Sequence, residues 1–234
     1  MSMPNKPASW IAGAKSVLLK DLRLELRNKS VLGTLLIFVL STLFLVLFAT
    51  ARDDLGPRTK SGLLWIVILF TAALGLGRVF LSEEERGTAI FLRLHTQGGM
   101  VYLGKLCYSF LTLLCANAVS SGVFLLLLSV EVVLPALFVL TICLGTLGLA
   151  GATTLLAAII SRTARGGPLL PVLLFPLLIP LLLSAVEATH LSFTGQSVAT
   201  DGWSAAIGSL VTMVSFSGVV IAASILLFDY VWEN

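Results

Sequence analysis

Residues 106–161 read LCYSFLTLLCANAVSSGVFLLLLSVEVVLPALFVLTICLGTLGLAGATTLLAAIIS, and Glu131 is the one charged residue among them. An uncharged apolar run of about 18 residues or more is long enough to cross a bilayer as a helix, and this stretch holds two, back to back. Glu131 therefore marks a turn. Pro135 falls just inside the start of the second helix, where a missing backbone N–H costs nothing. A spanning β-barrel would instead alternate apolar and polar residues in segments of about ten. Continuous apolar runs point to helices, which satisfy their own backbone hydrogen bonds in lipid.

Outward from this hairpin the pattern repeats. Of the 234 residues, 57% are hydrophobic and 12% charged, and the mean hydropathy is +1.02. A soluble domain carries about 25% charged residues, so a water-soluble globule is excluded. Six uncharged intervals place spans at about 30–51, 61–81, 106–130, 132–161, 166–186 and 202–228. Val79, Phe80 and Leu81 extend the second past Arg78, a side chain able to snorkel to the interface. The fold class is therefore all-α: a polytopic membrane protein with six transmembrane helices. Residues 1–29 form a separate N-terminal helix and 30–234 one membrane domain.

Lys and Arg set the orientation. Lys6, Lys15, Lys20, Arg23, Arg27 and Lys29 precede the first span; Arg78, Arg86, Arg93 and Lys105 lie between the second and third; Arg162 and Arg165 lie between the fourth and fifth. The opposite face holds only Arg52, Arg58 and Lys60. Both termini are thereby expected to be cytoplasmic. The first apolar run is of spanning length after a basic stretch of about 30 residues, which is not the pattern of a cleavable signal peptide. The net charge of +3 follows topology and marks no nucleic-acid surface.

Within residues 1–29, Trp10, Ile11, Ala14, Val17, Leu18 and Leu22 recur at helical spacing, with Lys15, Lys20, Arg23 and Arg27 on other faces. This pattern suits either an amphipathic helix at the cytoplasmic membrane surface or a basic topology anchor. Segment 82–105 is longer than a turn requires. It carries Glu83, Glu84, Glu85 and Arg86, then Gly87 and Thr88, then an apolar short helix with Ile90, Phe91, Leu92, Arg93 and Leu94, ending near Gly98 and Gly99. A charged end beside an exposed apolar helix suits docking to another protein.

The other polar segments offer less chemistry. RTARGGP at 162–168 reads as a short turn, and Pro168, Pro171, Pro176 and Pro180 crowd the fifth span, where an interior proline removes a helix donor. Residues 187–201 read as an external loop containing His190. His95 and His190 fall on opposite faces and cannot share a metal. Cys107, Cys115 and Cys143 lie inside spans without a C-x-x-C and read as buried apolar thiols. A nucleophile elbow, a phosphate loop and H-E-x-x-H are all absent from the sequence. The chain is therefore expected to be no enzyme and to bind no cofactor or metal of its own. Spans without charge away from their ends argue against a proton-driven transporter. Small-residue pairs Ala73/Gly77, Gly148/Ala152 and Gly218/Ala222 permit close helix packing, in a bundle or a homodimer.

The basic segment KSVLLKDLRLELRNKS, six spans, RVFLSEEERGT from Arg78 to Thr88, the close at Leu103-Gly104-Lys105 and the tail FDYVWEN together resemble the CcmB family. These are membrane subunits of the ABC-type complex of cytochrome c maturation, related to ABC-2-type permeases. The likeness covers essentially the whole chain and rests on the 78–88 motif, the Leu-Gly-Lys close and the tail. The chain departs from the family pattern after Thr88. Ala89, Ile90 and Phe91 replace an acidic continuation, and His95-Thr96-Gln97 replaces a Ser-Pro-like turn.

The resemblance implies an ABC-2-like permease fold in the bacterial inner membrane, with 82–105 as the segment contacting a separate ATPase subunit. In that scheme Glu83, Glu84, Glu85, Arg86 and Arg93 make polar contacts and Ile90, Phe91 and Leu94 fill a groove, around Gly87 and Thr88. It implies as partners the ABC ATPase, a haem-handling membrane subunit, a small accessory membrane subunit, a haem chaperone and a second copy of this chain, with ATP on the partner and haem as cargo. The alternatives are an ABC-2-type exporter of lipid, polysaccharide or drug, and a non-transport membrane scaffold. Loss of c-type cytochromes in a deletion strain separates the first reading from these.

Overall fold

A computed structural model describes residues 10–28, 30–50, 55–76, 98–160, 169–195 and 201–233. The described residues form seven helices: α1 (Trp10–Asn28), α2 (Ser30–Thr50), α3 (Pro57–Leu76), α4 (Gly98–Leu127), α5 (Pro135–Ile160), α6 (Leu169–Thr194) and α7 (Gly202–Glu233). The protein is all-helical and multi-pass. Five helices, α2 and α4 to α7, are long and apolar enough to cross a membrane. The second expected span, 61–81, overlaps α3, a helix of 20 residues whose first turn carries Arg58 and Lys60; α3 does not join these five, and 77–81 lie outside the described residues.

Helices α2 to α7 run alternately up and down. One end of the bundle gathers Arg58 with Glu187, Lys60 with the carbonyl of Leu128, and the N–H of Leu134 with the carbonyl of Ser192. The other gathers α1, the start of α4 and the start of α2. The α4–α5 hairpin keeps one antiparallel register: Thr154 Oγ1 donates to Ser109 Oγ at 3.2 Å, and Asn117 Nδ2 donates to Thr146 Oγ1 at 2.9 Å. The turn between them centres near Glu131, as its lone charge suggests; α4 ends at Leu127 and α5 opens on Pro135.

Helix α5 is the centre of the bundle, with 67% of its span buried by protein, against 17% for α2 and 22% for α7. Small residues allow this. Gly145 lies against the ring of Trp65, and a Cβ there would overlap it. Trp65 is the largest fully buried side chain, and its indole N–H donates to Thr189 Oγ1 at 2.8 Å. A Cβ on Gly148 would sit 2.7 Å from Leu181 Cδ2 and 3.0 Å from Ser217 Oγ, so the Gly148/Ala152 pair does bring helices close. Gly218 and Ala222 instead face outward. Ala73 is buried, and Gly77 lies outside the described residues.

Three expectations need correction. Residues 187–194 are not loop: α6 continues through His190 to Thr194 and stops at Gly195, whose φ of +73° suits glycine alone. Nothing between Glu187 and Thr194 breaks a helix, and one carboxylate at the bundle's end does not stop one. Cys107 and Cys115 are exposed and Cys143 is intermediate, so the thiols are not core residues. In spans apolar on every face, composition cannot say which side points inward. The third span begins earlier than Leu106, because α4 starts at Gly98 and takes Lys105 inside the bundle. Pro176 and Pro180 lie within α6 on its exposed face; Pro168 and the 162–168 turn fall outside the described residues.

Candidate functional site

The ten residues expected to couple to a partner, Glu83, Glu84, Glu85, Arg86, Gly87, Thr88, Ile90, Phe91, Arg93 and Leu94, lie outside the described residues, as does His95. The structure describes what flanks them. The chain leaves α3 at Leu76 and enters α4 at Gly98, at the end of the bundle where α1 packs. The first described turns of α4 meet α1 through a cluster of charged side chains.

This contact is built on one stripe of α1. Gly13, Val17, Asp21 and Glu25 recur every four residues and so share a face. Gly13 and Val17 are buried, and the two carboxylates prolong the same stripe toward α4 and α2. Lys105 Nζ lies 3.6 Å from Asp21 Oδ2, the side chains 1% and 11% exposed, and Lys20 Nζ lies 3.5 Å from Asp21 Oδ1. Glu25 spans three helices. Its Oε1 accepts the Leu32 N–H of α2 at 2.8 Å, and its Oε2 accepts the Tyr108 hydroxyl of α4 at 3.3 Å. Leu32 belongs to the first turn of α2, whose N–H groups have no partner within the helix, and a carboxylate there also complements the helix dipole.

The outward side of α1 is different. Lys15 and Arg23 are exposed, with Leu19 and Leu24 at 38% and 41%. Of the expected apolar positions, Val17 is buried while Leu18 and Leu22 are partly covered, as are Asp21 and Glu25. Sequence reasoning counted Lys105 as a topology charge in a loop and did not single out Asp21 or Glu25. The available signal was the four-residue spacing of two acids on a basic helix, opposite a lysine shortly before an apolar span.

The Lys–Asp contact acts as a clamp. Two buried charges repay their desolvation only while both are present, so α1 and the start of α4 are held together or come apart at substantial cost. Lys105 and Tyr108 thus join the start of α4 to α1. At the opposite end, Arg58 NH2 meets Glu187 Oε2 at 2.9 Å with 71% and 36% of the side chains exposed. His190 lies one turn along α6 from Glu187, and its Nδ1 is buried with no hydrogen-bond partner among the described residues. Among the described residues no cluster of three or more His, Cys, Asp or Glu is placed to hold a metal.

Between the two ends, the bundle interior is polar in a restrained way. Many buried hydroxyls donate to a carbonyl three or four residues back, as Ser192 does to Thr189 and Thr141 to Leu137. Three polar side chains of α4 differ. Asn117 Oδ1 and the hydroxyls of Ser120 and Ser121 are buried without a hydrogen-bond partner among the described residues, a state that costs about 1–3 kcal/mol for each such atom.

Residues 13–227 match the family model described as CcmB protein. A protein of Haemophilus influenzae named Heme exporter protein B is 30% identical over 212 residues, covering 89% of this chain and 95% of its own length. Proteins of the same name from Paracoccus denitrificans and Bradyrhizobium diazoefficiens are 31% and 29% identical over 189 and 180 residues. These two alignments cover 80% and 75% of this chain, and 86% and 80% of the respective relatives.

Proposed function

This chain belongs to the CcmB protein family, and from that membership we propose that it is a membrane subunit of a haem-export complex serving cytochrome c maturation, driven by ATP hydrolysis on a separate subunit. The observation that carries the reading is the extent of the family match, which runs through 82–105 and both flanking helices. In this reading the chain performs no catalysis. It converts the ATPase cycle into movement of its own helices, and the complex thereby delivers haem to its chaperone. The partners are the ATPase, a haem-handling membrane subunit, a small accessory membrane subunit, the chaperone and a second copy of this chain. Both termini lie on the cytoplasmic side of the inner membrane, residues 1–29 forming the N-terminal helix and 30–234 the permease domain.

In this reading Glu83, Glu84, Glu85, Arg86 and Arg93 engage the ATPase surface and Ile90, Phe91 and Leu94 enter its groove, around Gly87 and Thr88. Movement of that segment enters the membrane at Gly98, and the Lys105–Asp21 and Tyr108–Glu25 contacts make α1 move with α4. The buried clamp supports a lever that turns as one piece.

The test is the triple substitution E84A/E85A/R86A in a strain lacking the native copy. The expected outcome is normal membrane insertion, at least a several-fold loss of ATPase subunit in the detergent co-purification, and loss of haem-stained c-type cytochromes. Unchanged co-purification together with unchanged c-type cytochromes would overturn the coupling assignment. Normal c-type cytochromes in the full deletion would overturn the haem reading.

A further inference from the structure

The unpartnered atoms of α4 lie on one face in adjoining turns. Asn117 precedes Ser120 by three residues and Ser121 by four, the spacings that stack side chains on a helix. Asn117 and Ser120 are fully buried and Ser121 is 5% exposed. Neighbouring helices solve the same problem internally: Thr71, Thr141, Thr153, Ser217 and Ser224 each donate to the carbonyl four residues back at 2.6–2.8 Å. Ser120 and Ser121 do not.

Thr146 cannot complete the set. Its hydroxyl proton is committed to the Ile142 carbonyl at 2.6 Å, and its oxygen already accepts from Asn117 Nδ2. Reversing the amide would put Oδ1 against that same committed hydroxyl. One acceptor and two hydroxyls thus remain, buried by protein, where an unmet polar atom is costly.

We propose that Asn117, Ser120 and Ser121 form a binding site for water inside the helical bundle, beside the Asn117–Thr146 contact of α4 with α5. Water supplies what the three atoms lack, a donor for Asn117 Oδ1 and donor or acceptor for each hydroxyl, and a buried water typically makes about three such bonds. A monovalent cation fits less well, since none of the three residues carries charge to offset it. A water here also lets α4 exchange hydrogen-bond partners with α5 as it shifts, without baring a polar atom. The site stands independently of what the protein transports.

The experiment is X-ray hydroxyl-radical footprinting of the full chain in nanodiscs, read residue by residue by mass spectrometry. A resident water generates radicals in place, so Phe124 and Leu113, both fully buried, are expected to be labelled several-fold faster than the equally buried Leu178 and Leu181 of α6. The S120A/S121A variant is expected to lose that excess and to melt several degrees lower, because the water loses two partners. Background labelling in the wild type, or labelling unchanged in the variant, would overturn the proposal. So would a variant that melts at or above the wild type, which is the behaviour of a dry site relieved of unmet groups. A melting temperature that rises when sodium or potassium replaces choline, without labelling, would overturn it in favour of an ion.

Discussion

Each end of the bundle carries an ion pair, and the two could hardly differ more in setting. Lys105 and Asp21 meet at 3.6 Å with 1% and 11% of their side chains exposed; Arg58 and Glu187 meet at 2.9 Å with 71% and 36% exposed. By distance alone the second is the better pair. By consequence the first is, because solvent and salt screen exposed charges while buried ones depend on the groups packed against them. What the contrast teaches is where the molecule is rigidly joined. At the α1 end, helices α1, α2 and α4 are tied through carboxylates that cannot be released without stranding a charge. At the hairpin end, α3 and α6 meet through a contact that water can replace.

Lys105→Met tests this most severely. It removes the buried partner of Asp21 and leaves the part-exposed Lys20 at 3.5 Å, and the expected loss is up to about 3 kcal/mol in SDS or thermal unfolding in detergent. The double variant Asp21→Leu with Lys105→Met removes both charges and is expected to recover most of that loss. A single variant no more costly than Arg58→Gln would break the comparison, and a double variant as poor as the single would mean that the lysine acts by packing alone.

Glu25→Ala comes next. It removes the acceptor for the Leu32 N–H at the start of α2 and for the Tyr108 hydroxyl, with an expected cost of about 1–2 kcal/mol. Glu25→Gln keeps one acceptor oxygen and is expected to retain at least half of the effect. The same unfolding measurement, with proteolysis at the α1–α2 junction as a second readout, decides whether Glu25 caps α2. Equal behaviour of the Ala and Gln variants would assign the cost to charge instead.

These residues also show what was legible from sequence. Scarcity of charge identifies a helical membrane bundle, and Glu131 and Pro135 place the central hairpin, because expelling charge from lipid is a large and local effect. Helix ends are another matter. Lys105 and Glu187 are each one charge beside an apolar run, and reading them as boundaries cut α4 and α6 short. A charge ends a span only if it stays in water, and Lys105 stays out of water by meeting Asp21, distant in sequence. The inward faces were illegible for a related reason. On α1 the polar pattern exists, but the face that meets α4 and α2 includes two part-buried acids; on the spans every face is apolar, so Cys107 and Cys115 carry no sign of pointing outward. The residues expected to dock a partner, 83–94, remain an expectation of sequence and family.

The smallest expected effect belongs to the exposed pair. Arg58→Gln or Glu187→Gln should each cost no more than about 1 kcal/mol, and their coupling in a double-mutant cycle about 0–1 kcal/mol. The charges lie at the bundle's end, so each freed partner is rehydrated instead of stranded, and the coupling should shrink further as salt is raised from about 0.01 M, where screening acts over roughly 30 Å, to about 1 M, where it acts over roughly 3 Å. The Lys105–Asp21 coupling, by contrast, should hold nearly constant across that range, since ions reach it poorly. Measuring both cycles at the two salt concentrations separates burial from distance as the cause: if the couplings fall in parallel, solvent reaches both pairs and the clamp on α4 is no firmer than the contact between α3 and α6.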